Sequence, residues 1–366
     1  MLFYLAQVNH MDSITIKKPF DSHLHVRRGA VLRAVVPIAA EKFASAIIMP
    51  NVEPPIETVA QAAEYKKEIL TACKYGSQTA VFEPLMTFYL TRTLKAEEIE
   101  KGMSSGVYAV KYYPYGATTN SQWGFRDILE AKEVLKEMER VGMPLLLHGE
   151  VHVDLHEHEV DPYEGERRFI EDVLPRLLAE YPNLKVSLEH MSTKVAADFM
   201  EKNGKACKLV ATVTVHHLLY AREDIEQEPL LRCKPLIKSR TDRDAVRSLA
   251  TKGLPFVSAG TDSAPHPEAK KFASPPAFGV FSSPTAVEMY AQVFDEMNAL
   301  DNLEGFLSTN GPRFFGVEPA KETITLVKKD WQVTEPVTTD EGVKIWPVGH
   351  VEHGLGNETI HWQIAR

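Results

Sequence analysis

The sequence predicts an α/β fold, a (β/α)8 TIM barrel with short N- and C-terminal extensions. The chain has 366 residues, a length that suits one such barrel with a modest addition. Short apolar runs recur along it, each followed by a helical pattern. Most of these runs are continuously apolar rather than alternating, as parallel strands buried on both faces are.

Eight runs fill the strand positions: Phe20–His25, Ala46–Pro50, Thr79–Pro84, Val107–Tyr112, Pro144–His148, Lys185–His190, Leu209–Thr214 and Pro255–Asp262. Between the second and third, Thr58-Val59-Ala60-Gln61 has capping-box spacing and opens a helix ending near Gly76. Asp127–Gly142 carries apolar residues at helical spacing, with Gly142 placed to end it. Arg240–Gly253 precedes the eighth run in the same way. No phosphate-binding glycine fingerprint follows the first run, which argues against a doubly wound open sheet. Helical segments at Pro284–Leu300 and Asn302–Phe315 come after the last strand, and the tail beyond Glu318, richer in Pro, Val and Thr, reads as an extended wrap. The expectation is a single domain over residues 1–366, with a barrel core over about 14–316 and a C-terminal extension over about 317–366.

Composition narrows the function classes. With 44% hydrophobic residues the core needs no covalent staples. Cys73, Cys207 and Cys233 are widely spaced and form no Cys-x-x-Cys pair, so neither a thiolate zinc site nor a disulfide framework is expected, and a reducing compartment is. The net charge is −9 with no basic stripe, which argues against a nucleic-acid partner. No apolar run approaches the roughly 18 residues that span a bilayer. The start, Met1-Leu2-Phe3-Tyr4-Leu5-Ala6, lacks the basic flank of a signal peptide and the arginines of a presequence. A cytoplasmic enzyme is expected, its first ten or so residues poorly ordered.

The strand ends carry the chemistry. In such barrels the active site lies at the C-terminal ends of the strands. Here those ends hold His23 and His25, Lys111, His148, His190 and Asp262. In a strand, residues i and i+2 share a face, so both imidazoles of His23-Leu24-His25 can meet one metal. An isolated His-x-His is more often a pair of satisfied core histidines. Four histidines and an aspartate converging on one rim are another matter, because imidazole nitrogen and carboxylate oxygen are natural Zn²⁺ ligands. Lys111 follows Val107-Tyr108-Ala109-Val110, which puts its amine in or near the core. Burial favours the neutral amine, which can add carbon dioxide to give a carbamate able to bridge two metals. A rim lysine reaching solvent fits the same spacing. The run His152, His156 and His158 reads as a solvated loop, and Glu83, taken as the end of the third strand, has no assigned role.

The ordered motifs Asp21-Ser22-His23-Leu24-His25-Val26-Arg27, Met49-Pro50-Asn51, Val110-Lys111-Tyr112-Tyr113-Pro114, Leu147-His148-Gly149-Glu150, Glu189-His190-Met191-Ser192-Thr193 and Gly260-Thr261-Asp262-Ser263-Ala264-Pro265-His266 resemble the amidohydrolase superfamily. More narrowly, with Ala117-Thr118-Thr119-Asn120 and Cys233-Lys234-Pro235-Leu236, they resemble the short monofunctional dihydroorotases of bacteria and fungi, over about residues 14–316. The resemblance implies two Zn²⁺ ions per subunit. His23 and His25 would bind one with Asp262, His148 and His190 the other, and N6-carboxylated Lys111 and a hydroxide would bridge both. It also implies that Arg27, Asn51 and His266 hold the substrate carboxylate. Thr118 and Thr119 would reach it from a mobile loop, and Asp262 would serve as general base and acid. Implied too are the small-molecule substrate pair dihydroorotate and N-carbamoyl-L-aspartate, the ring-closing step of pyrimidine biosynthesis, and a homodimer. Two departures stand out: Arg28 where an acidic residue is common, and Phe278 where small residues are usual. Other readings are a dihydropyrimidinase or allantoinase, whose substrates lack the ring carboxylate, and a catalytically dead scaffold, which would be expected to lose ligands.

Overall fold

Strands form where the apolar runs are. In this computed structural model, which describes residues 12–75, 81–154, 158–225, 228–351 and 359–365, β1 (Ser13–Lys17) precedes eight strands of one parallel sheet. They are β2 (Phe20–Leu24), β3 (Ser45–Ile48), β4 (Glu83–Tyr89), β5 (Val107–Tyr112), β6 (Leu145–His148), β7 (Val186–Glu189), β8 (Leu209–Val213) and β9 (Val257–Ala259), neighbours in that order. The ring closes just beyond β9, where Asp262 N donates to His23 O at 2.9 Å and His25 N to Ser263 O at 3.1 Å. Helices cover the outside, as a barrel of parallel strands requires.

The third strand differs from expectation. It starts at Glu83 and runs to Tyr89, not from Thr79 to Pro84. Pro84, the last residue of the expected run, is the strand's second, where a residue without an N–H is tolerated. Thr79 and Ala80, like Gly76 and the first eleven residues, lie outside the described residues. Glu83 therefore opens its strand, at the end far from the mouth, exposed and paired with Lys66 at 2.5 Å.

The helix signals hold. Thr58 Oγ1 accepts from Gln61 N at 3.3 Å while Gln61 Oε1 accepts from Thr58 N at 3.0 Å, a reciprocal cap on Val59–Cys73. Gly142, at φ 74°, ends Lys132–Val141. Ser239 caps Arg240–Thr251.

Two clusters fill the molecule. The larger packs the outer strand faces against the helices. The smaller, with Phe20, Ile47, Leu85, Ala109, Leu146, Val210 and Phe314, packs inside the barrel. Side chains alternate along strands, so Lys111 and His148 share the inner face of Ala109 and Leu146 but lie two residues nearer the mouth. Alternation from Phe20 would turn His23 and His25 outward. An irregularity in pairing with β3, between Asp21 and Leu24, shifts the register and brings them in.

The tail is more ordered than an extended wrap. β10 (Thr323–Trp331) pairs antiparallel with both β1 and β13 (Ile360–Ile364), and β11 (Val337–Thr338) pairs with β12 (Lys344–Ile345). Trp362 anchors this sheet, fully buried, its Nε1 donating to Asp295 Oδ2 at 3.2 Å. Among the described residues no helix is long and apolar enough to cross a membrane.

Candidate active site

Five of the six strand-end residues converge at the mouth in two groups. In the first, His23 Nε2, His25 Nε2 and Asp262 Oδ1 lie 3.1 to 3.4 Å from one another. In the second, His148 Nδ1 faces His190 Nε2 at 3.2 Å. Ligand atoms about 2.0–2.1 Å from a tetrahedral zinc ion stand about 3.3 Å apart, so both groups have the spacing of a metal's ligand shell.

Carboxylates behind the histidines fix which nitrogen is bare. His23 Nδ1 lies 2.7 Å from Glu189 Oε2, and His148 Nε2 lies 2.8 Å from Glu150 Oε2. Each carboxylate takes the imidazole N–H, leaving the other nitrogen's lone pair aimed into the site. Glu189 and Glu150 stood inside the sequence motifs without a role. Glu150 could have been found from its i, i+2 relation to His148 on one strand face; Glu189 could not, being 166 residues from His23.

Burial sets the protonation states. It holds His25 down to about 3 and lowers His148, so both are the neutral imidazoles that ligate metals. Burial also pulls on His23, but Asp262 and Glu189 outweigh it and leave its pKa raised. Burial would raise Asp262; His23 and His25 outweigh it and hold the carboxyl well below its usual range. Glu150 is held at about 2, its burial more than offset by His148 and then Lys238. Anions set this closely among imidazoles call for a cation.

Lys111 is fully buried and its Nζ has no hydrogen-bond partner. Burial lowers it to about 8, and its charge acts on His23, His148 and His190. A buried amine without a hydrogen bond, facing the Tyr113 ring at 5.0 Å, is costly as an ammonium, and fits a residue that carries a further group here.

Three site residues have left-handed backbones: Arg27 at φ 60°, His190 at 42° and Asp262 at 44°. Such conformations are sparse for residues with a Cβ and cluster at functional sites. At His190 the turn re-aims a side chain that simple alternation after Ser187 and Glu189 would send outward. The buried Asp21 carboxylate secures the neighbouring turn, accepting from Thr261 N at 2.8 Å, Thr261 Oγ1 at 2.6 Å and His23 N at 3.0 Å.

Arg27, Asn51 and His266 gather at one side. His266 Nε2 lies 2.8 Å from Phe278 O, which can only accept, so this nitrogen carries the proton. Arg27 Nη2 approaches the same nitrogen at 3.1 Å. His266 spends that proton on Phe278 O and Arg27 Nε donates to Pro265 O at 3.1 Å, so Arg27 Nη2 faces a nitrogen that cannot accept from it, an arrangement that an anion relieves. Asn51 Oδ1 accepts from Tyr113 Oη at 3.1 Å, and Nδ2 gives one hydrogen to Thr119 O at 3.0 Å, keeping its second.

The loop after β5 lies folded over Asn51. Asn120 Nδ2 donates to Asn51 O at 2.9 Å, and Ser121 Oγ bonds Thr118 O at 2.6 Å. Gly116 turns at φ 73° beneath the His152 ring. His158 is exposed and bonds Asp154; His156 lies outside the described residues.

The structure also brings His216, His217 and Cys233 together, all buried. His217 is already committed, Nδ1 to Thr214 Oγ1 at 2.7 Å and Nε2 to Pro235 O at 3.1 Å. Burial pushes the Cys233 thiol up to about 12, so it stays a thiol, bonded to Pro235 O.

The amidohydrolase family model matches residues 19–330. The chain is 41% identical over 358 residues to the dihydroorotase of Escherichia fergusonii, covering 96% of this chain and 98% of that one. It is 44% identical over 361 residues to that of Picosynechococcus, with 97% and 99% covered. The Saccharomyces cerevisiae dihydroorotase structure with 5-fluoroorotic acid superposes with a TM-score of 0.87 at 32% identity, covering 97% of this chain and 99% of that one.

Proposed function

The chain belongs to the amidohydrolase family and, within it, to the short monofunctional dihydroorotases, and on that premise we propose that its barrel mouth interconverts (S)-dihydroorotate and N-carbamoyl-L-aspartate by opening and closing a cyclic amide. It is a hydrolase acting on cyclic amides. The observation that carries the choice of substrate is the pairing of the two ligand groups with the Arg27 guanidinium, whose Nη2 stands 3.1 Å from a protonated His266 nitrogen and has no carboxylate within 4.0 Å among the described residues. A dihydropyrimidinase or allantoinase has no ring carboxylate to place there. A dead scaffold has no need to keep every ligand position.

The residues fit two zinc ions. His23, His25 and Asp262 would hold one, His148 and His190 the other, and carbamylated Lys111 would serve both. When bound, the metals would supply a hydroxide at neutral pH and polarise the ring carbonyl. Carbamylation needs the neutral amine: nitrogen adds to the carbon of CO₂, a proton leaves, and an N–C bond forms. Burial of the Lys111 amine without a hydrogen bond supports that reading.

The chain's own groups do the rest. Asp262 stays ionised among the imidazoles and so can accept a proton from the nucleophile and return it to the leaving ring nitrogen. Arg27, with His266 and the free Asn51 hydrogen, fixes the carboxylate and thereby the ring. Folding of the 115–120 loop over Asn51 excludes water. A homodimer and a cytoplasmic location complete the proposal.

Arg27→Met is expected to raise KM for dihydroorotate strongly while changing turnover of a carboxylate-free ring much less. The lost contact is worth roughly 2–5 kcal/mol in a desolvated site. Steady-state kinetics on both rings decides, and an unchanged KM would place the carboxylate elsewhere.

Joint replacement Thr118→Ala with Thr119→Ala tests the loop. Their hydroxyls are proposed to bond substrate, so kcat should fall about tenfold or more, at roughly 1.4 kcal/mol per decade, with metal content unchanged. Native kinetics would remove the loop from the reaction.

A further inference from the structure

Beside the ligand cluster lies a cleft of about 670 Å³ whose lining includes Tyr163, Arg222, Glu228, Arg232, Lys234 and Phe278. It flanks the candidate site on two sides. Phe278 O holds His266, and Lys238, over the Tyr163 ring at 5.6 Å, lies 3.9 Å from the Glu150 carboxylate that bonds His148.

The cations of this cleft are held by aromatic faces rather than by direct ion pairs, with Glu150 acting on Lys234 only from beyond 4.0 Å. Arg222 stacks on Tyr163 at 4.6 Å, and Arg232 and Lys234 lie over the Phe278 ring at 4.6 and 5.3 Å. An aromatic face fixes a cation but leaves its charge intact, unlike a carboxylate. Among the described residues none of the three has a carboxylate within 4.0 Å, and Arg232 Nε is buried with no partner. Glu228, the acid in the lining, spends an oxygen on Leu230 N at 3.0 Å. Phe278, bulky where small residues are usual, is thus the platform for two of the three charges.

The chain as a whole carries −9, which opposes an anionic substrate. That charge is spread over the surface and screened beyond about 8 Å at physiological ionic strength. Close to the mouth stand three cations with no carboxylate within 4.0 Å among the described residues. We propose that this cleft is an electrostatic antechamber that gathers the carboxylate-bearing substrate and product at the mouth before Arg27 takes the carboxylate. The inference rests on the reading of the substrate given above.

The test compares the native enzyme with Arg222→Gln/Lys234→Gln in both reaction directions, from about 0.02 to 0.5 M NaCl, where screening goes from weak to strong. At low salt the double variant should lose roughly tenfold in kcat/KM, the lower end of what focusing clefts contribute. The loss should be equal in both directions, because the ratio of the two constants is the reaction's equilibrium constant. Native and variant should converge at high salt, with kcat and metal content unchanged, and Arg222→Lys/Lys234→Arg should restore the native salt slope. Arg222 is exposed, so Arg222→Gln alone keeps the test open if the double variant loses metal. A variant with the native slope overturns the antechamber, as does a loss that persists at high salt, which would mark a direct contact. No turnover of dihydroorotate by the native enzyme at any salt would instead overturn the proposed function.

Discussion

Lys111→Ala is expected to slow dihydroorotate turnover at least about a thousandfold, roughly 4 kcal/mol of transition-state stabilisation. The side chain has no hydrogen bond to lose and sits among the histidines of both ligand groups. Its removal therefore subtracts whatever it carries toward the metals, together with its contact over the Tyr113 ring at 5.0 Å. Short carboxylic acids supplied with zinc should partly rescue the variant, since a small carboxylate can enter the space the side chain leaves. Unfolding of the metal-free proteins offers a second readout: Lys111→Met, which keeps most of the buried volume and removes the amine that has no hydrogen bond, should be no less stable than the native chain. Native-like turnover, or a mass measurement showing a free amine in the active metal-loaded enzyme, would defeat the carbamate.

His25→Ala is expected to abolish activity and to lower bound zinc by about one ion per chain. His25 is the cleanest probe because its ring serves no visible structural partner beyond the cluster itself, meeting Asp262 at 3.1 Å and His23 at 3.4 Å. Elemental analysis of the purified variant alongside kinetics decides the matter. Full activity with one fewer zinc would sink the two-metal reading.

Much of this was legible in the residues because barrel chemistry sits where runs end. Each of the eight apolar runs contributes to a strand, and Lys111, His148, His190 and Asp262, at or just beyond the ends of theirs, arrive at the mouth. What was not legible is instructive. The third run was expected to close at Pro84, which is instead its strand's second residue, because a missing N–H matters only deeper in the ladder. The tail showed no motif, and only tertiary pairing with β1 makes it a sheet. The partnership of His23 with Glu189 crosses 166 residues, and no local spacing announces such a contact. Likewise the inward turn of His190 depends on a φ of 42°, a conformation its residue type does not favour. The structure also gives Phe278 a use, as the platform under Arg232 and Lys234.

The left-handed backbones at Arg27, His190 and Asp262 set a limit on how this chain can change. Each such conformation costs of order 1–3 kcal/mol, and each would be relaxed by glycine. At these positions the residue that folding favours is one without a functional group. Natural domains stand only some 5–15 kcal/mol above unfolding, so the site's geometry draws on a margin that the barrel's apolar interior must supply. Selection for thermal robustness alone would drift toward glycine here and erase the ligands. Consensus or stability-guided redesign of this barrel should therefore hold these three codons fixed and seek its gains on the outer helices and in the β1–β10–β13 sheet.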